Sequence, residues 1–95
     1  MTLVIVETTY DPPLTDERRQ SDQDRLYPCM ALRGVEWLQS FESLDRRRKV
    51  CLFQAPDVDA MRESLRNAGI PFDRIWAAAR REPDPQVEGG AQVTV

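Results

Sequence analysis

Glu7 and Cys51 are the two side chains whose type and setting could do chemistry. Glu7 interrupts the apolar, β-branched run from Leu3 to Thr9. A carboxyl in such a run must be paired or carry a raised pKa. It could act as a general base or a ligand contact in a pocket between helices and sheet; an ion pair with Arg74 or Arg48 is the structural alternative. Cys51 lies in an alternating segment, Arg48 to Ala55. Its thiol could be a metal ligand, a redox sensor or a nucleophile, and it could equally be a small core residue. The chain has no histidine. A cysteine–histidine dyad is therefore excluded, and base chemistry falls to carboxylate or tyrosine. No catalytic residue and no metal ligand is assigned. Tyr10, Trp37, Phe41, Phe53 and Trp76 are the aromatic groups that could wall a pocket, with Glu7, Gln39, Ser40 and Gln54 as its polar contacts. The expected ligand-contact set is Glu7, Tyr10, Trp37, Gln39, Ser40, Cys51 and Trp76. Aromatics at period-two spacing also suit a plain core.

These groups need elements to hold them. Thr2 to Thr9 reads as a strand, ended by Asp11-Pro12-Pro13 because proline lacks the ladder donor. Thr15 is a helix N-cap, with Asp16 and Glu17 in the first turn and Leu14 placed to staple back. Thr15 to Leu26 carries no apolar stripe, and Pro28 follows. The helix is expected in two parts: a solvated piece before Tyr27, able to act as a mobile cover, and a packed piece from Pro28 to Arg33 ending at Gly34. Val35 to Ser43 and Arg48 to Ala55 alternate and form an antiparallel hairpin around a polar turn. Strict alternation puts Val35, Trp37, Gln39, Phe41 and Ser43 on one face. Asp57 caps a second helix with Val58, Met61, Leu65 and Ala68 on one side, stopped by Gly69 and Pro71. Phe72 to Arg80 is the last strand. Residues 1–80 make the domain, and 81–95 a flexible tail, in which Gln92 to Val95 could add a strand.

This order predicts an α+β fold of ferredoxin-like type: a βαββαβ sandwich with two helices on one face of a four-stranded antiparallel sheet. The other face has no helix to cover it. Its apolar groups predict a second copy pressed against it, making a homodimer.

Composition narrows the class. At 95 residues the chain is one domain, and its net charge of −3 opposes non-specific nucleic-acid binding. The Arg46-Arg47-Arg48-Lys49 cluster is expected as a solvated turn. No apolar run is long enough to span a membrane, and no secretory signal is visible, so the expected location is cytoplasmic. Cys29 and Cys51 have no metal-knuckle spacing and are expected as free thiols.

Three segments carry a family resemblance: Gly34-Val35-Glu36-Trp37-Leu38-Gln39-Ser40-Phe41, Cys51-Leu52-Phe53-Gln54-Ala55-Pro56-Asp57, and Ala68-Gly69-Ile70-Pro71-Phe72-Asp73-Arg74-Ile75-Trp76. Asp11-Pro12-Pro13-Leu14-Thr15 adds to it. The sequence resembles a small bacterial family of ferredoxin-like proteins of unknown function that includes nickel-binding and nickel-responsive members. The resemblance implies the ferredoxin-like fold, a dimeric α+β barrel and a divalent metal as cofactor. Imidazole is a preferred nickel ligand, and this sequence has none, so no ligand is carried over. Three functions are expected, in this order: a small homodimeric ligand- or metal-binding protein, a cofactor-free barrel enzyme (an oxygenase or isomerase) using the Glu7 carboxylate, and a regulatory module working through surface and tail. The sequence names no ligand.

Overall fold

The computed structural model describes residues 1–83 and has the element order β1 (Thr2–Thr9), α1 (Asp16–Leu32), β2 (Glu36–Glu42), β3 (Arg48–Ala55), α2 (Val58–Ala68), β4 (Arg74–Ala78). Of the tail expected at 81–95, the part from residue 84 onward, with the strand-like Gln92 to Val95, lies outside the described residues. The sheet order is β2-β3-β1-β4, and every neighbouring pair is antiparallel. This is the predicted βαββαβ arrangement.

Register decides which side chains meet the helices. Val4 stands opposite Phe53 and Ala77, and Val6 opposite Cys51 and Ile75. Val4, Val6, Cys51 and Phe53, with Ile75 packed against them, join Met30 of α1 and Met61 and Leu65 of α2 in one core, so both helices lie on the same sheet face. Leu3, Ile5, Val50, Leu52 and Trp76 point to the other face. No helix among the described residues covers that face: Phe41 is 66% exposed and Trp76 46%.

One register step differs from the sequence reading. β2 and β3 pair regularly except for a shift between Trp37 and Gln39. Leu38 is the extra residue, and a bulge of this kind turns the preceding side chains to the opposite face. Trp37 therefore joins Ser40 and Glu42 on the helix side, whereas Gln39 and Phe41 stay on the open side. Alternation alone had placed Trp37 with Gln39 and Phe41.

The first helix also differs. It runs unbroken through Pro28. Proline costs a helix the bond from residue 28 to the carbonyl of Asp24. Asp24 and Pro28 are both exposed, so water can take the place of the missing donor. The start follows the sequence: the Arg18 N–H donates to Thr15 Oγ1 at 3.1 Å, and Leu14 is buried. The polar stretch is fixed by ion pairs rather than by an apolar stripe. Asp22, 6% exposed, accepts from Arg18 Nε at each carboxylate oxygen, 3.2 Å apiece, and from Arg25 at 2.5 Å. Arg25 also donates to the Ala68 carbonyl at the end of α2, at 2.9 Å. Gly34 and Gly69 end the two helices with φ of 68° and 70°, the left-handed geometry that glycine adopts without strain.

Candidate functional site

The site is a cavity of about 170 Å³ between α1 and the β2–β3 side of the sheet. Arg19, Gln23, Leu26, Tyr27 and Met30 line it from the helix. Their spacing keeps them on one helical side, because residues three, four, seven and eight apart share a face. Trp37, Ser40 and Glu42 come from β2, and Lys49, Cys51 and Phe53 from β3. The bulge at Leu38 is what brings the indole of Trp37 to this side.

A chain of donors runs through the strand wall. The Trp37 indole N–H donates to Ser40 Oγ at 2.8 Å, and the Ser40 hydroxyl donates to Cys51 Sγ at 3.0 Å. Cys51 is 9% exposed. Burial pushes its thiol up, because a thiolate there would lose its hydration; the Ser40 bond and Lys49 oppose this, and Glu42 adds to it. The sulfur is thus a neutral group in the wall at neutral pH.

The polar side of the cavity is asymmetric in charge. Glu42 holds Arg19 through both oxygens, with Nε at 2.9 Å and a second, shorter bond. Arg19 also donates to Asp16 at 2.7 Å. These bonds lower the Glu42 carboxyl below its ordinary range and raise Arg19 further above neutrality. Lys49 stands cross-strand from Glu42, but no carboxylate pairs with it among the described residues. Its ammonium lies 6.0 Å from the centre of the Tyr10 ring, at the outer limit of cation–π contact. Burial raises the Tyr10 hydroxyl, and Lys49 works against that rise.

Of the seven ligand contacts expected from sequence, Trp37, Ser40 and Cys51 come together here, and Tyr10 sits beside them against Lys49. Glu7, Gln39 and Trp76 are on the other face of the sheet. Glu7 accepts a 2.8 Å bond from the Trp76 indole N–H, so its partner is neither Arg74 nor Arg48. A pocket shared by Glu7 and Cys51 is not formed, because residues 7 and 51 differ in strand face. The sequence reading missed Arg19, Gln23, Tyr27, Glu42 and Lys49. The one signal for the helix side was the 19-23-26-27-30 spacing, hidden because its first two members are polar.

A family model described as nickel responsive protein SCO4226-like matches residues 5–77. The crystal structure of SCO4226 from Streptomyces coelicolor A3(2) superposes with a TM-score of 0.73 over 84% of this chain and 99% of that one, at 14% sequence identity. Likeness at that identity speaks for the fold alone. No curated protein matches the sequence.

The family description raises the question of a nickel ion. Nickel bound by side chains prefers imidazole and needs several donors. The sequence has no histidine, and the described residues contain no group of three or more histidine, cysteine, aspartate or glutamate side chains placed to hold an ion. In the cavity the thiol is neutral and bonded to Ser40, and Glu42 is committed to Arg19. The donors among the described residues of one copy do not fit nickel. No helix among the described residues is long and apolar enough to cross a membrane.

Proposed function

The chain belongs to the nickel-responsive SCO4226-like family, and from that premise we propose that it is a small cytoplasmic homodimer that acts by binding a ligand in the cavity under α1. The observation that carries this reading is the cavity itself. Apolar groups of Leu26, Tyr27, Met30, Trp37 and Phe53 surround it, and a few placed polar groups fix one side. That combination is the usual make-up of a small-molecule site. The open sheet face supports the dimer: Trp76 is exposed beside Leu3, Ile5 and Leu52, and Phe41 is exposed on the same face beside Val50.

Trp37 is a built-in reporter, because the chain has two tryptophans and only Trp37 lines the cavity. In a Trp76→Phe variant all tryptophan emission comes from residue 37. Titration with small organic compounds is expected to change that emission and to raise the thermal midpoint, since a ligand that binds only the folded form stabilises it. Nickel is included in the same panel. A rise with nickel and none with any organic compound would overturn the reading and point to donors shared between two copies.

A further inference from the structure

We infer that the ligand is a compact organic anion, an acid whose apolar part is about the size of one aromatic ring, with its carboxylate directed to Lys49. This rests on the reading of the cavity as a binding site and adds the ligand's charge and size.

Size comes from the volume. A cavity of about 150 Å³ lined by apolar side chains holds one benzene molecule. The cavity here, about 170 Å³, has the same scale and is walled by Phe53, Trp37, Leu26 and Met30. It accommodates one ring with a short substituent, and a fused pair of rings would extend past these walls into the open mouth of the cavity.

Charge comes from which polar groups are already committed. Ser40 accepts from Trp37 and donates to Cys51, so its hydroxyl proton is taken. Arg19 is held by Glu42 and Asp16, and both Glu42 oxygens are on Arg19. Lys49 is left as the one lining cation that no carboxylate holds among the described residues. An ammonium in a partly desolvated wall attracts an anion and repels a cation, and the attraction strengthens as the ligand displaces water. A neutral molecule of the same shape gains the ring contacts and lacks this bond. The chain's overall charge is −3, so the preference for an anion is local to this wall and opposes the long-range field.

The test is a titration of the intact protein with four probes: benzoate, benzamide, benzylamine and 2-naphthoate. Benzoate is expected to bind about tenfold or more tightly than benzamide, a difference of the size that a charge-assisted bond provides. Benzylamine and 2-naphthoate are expected to bind more weakly than both. In a Lys49→Met variant the preference for benzoate over benzamide disappears, and in Lys49→Arg it returns. Benzamide or benzylamine binding as tightly as benzoate to the unaltered protein overturns the charge assignment while the cavity remains a site. Tight 2-naphthoate binding overturns the size assignment. If none of the four binds at millimolar concentration, the binding-site reading fails and the ligand class with it.

Discussion

Cys51 is kept neutral by its burial, and Ser40 partly offsets that burial with a hydroxyl bond to the sulfur. Thiolate, not thiol, is the nucleophile toward alkylating agents. Alkylation of Cys51 by iodoacetamide is therefore expected to be slow at pH 7 and to rise only above the ordinary thiol range of about 8.5. Ser40→Ala removes an interaction that favours the charged sulfur, so the midpoint of the pH–rate profile should move to higher pH. Mass spectrometry of the modified peptide, followed over a pH series, reads both. A midpoint below the ordinary range would mean that the sulfur lies in a different environment from the one described. Glu7, the other residue that stands out by type, has a plainer part: it receives the Trp76 indole N–H on the open face. Its position in the sequence could not show this, because the partner is 69 residues away. The loss of a carboxylate at Glu7→Gln keeps an acceptor for that bond, and the fold should tolerate it.

The polar first helix shows how an element can be secured without an apolar stripe. Arg19 reaches Glu42 on β2, Arg25 reaches the last carbonyl of α2, and Asp22 braces two arginines from below. The Arg19–Glu42 pair joins α1 to β2 across the cavity wall, and both side chains are about one-quarter exposed. The Glu42 carboxyl is lowered chiefly by its bonds to Arg19. A group whose folded pKa is depressed contributes stability above its unfolded value and loses it as the pH falls through the folded value. The protein is thus expected to lose stability below about pH 4, starting from the unfolded value for a glutamate. Glu42→Gln should cost about 1 kcal/mol or less at pH 7 and should flatten part of the acid limb in urea unfolding followed from pH 3 to 7. Asp16 and Asp45 are lowered as well, by Arg19 and by Ser43, so some slope remains in the variant. An unchanged acid limb would show that the pair does not hold in solution. The helix ends were legible in the sequence: Thr15, Gly34, Asp57 and Gly69 all stand where their capping chemistry places them. Continuity through Pro28 was not, because the cost of proline depends on whether water reaches the orphaned carbonyl, and that is a tertiary fact.

At the scale of the whole molecule, both helices lie on one side of the sheet and an aromatic, apolar surface is left on the other. The element order alone predicts this, since two short crossovers of the same hand put both helices on one face. A second copy over that surface predicts sedimentation as a dimer at micromolar concentration. Phe41→Lys places a charge on the β2 side of the surface and should shift the protein to monomer without loss of the folded far-ultraviolet signature. A monomer in the unaltered protein would remove the homodimer. The contents of the cavity were less legible than the fold, because four strands and two helices can be deduced from alternation and caps, while Trp37 depends on a single irregularity in β2. Leu38 is that irregularity, and it has an outcome for inheritance. Among descendants of this sequence, losing that one codon would seat Trp37 directly before Gln39, and plain alternation would keep the indole inside. The chamber tolerates that deletion, whereas straightening the strand with Leu38 kept in line would swing the indole outside.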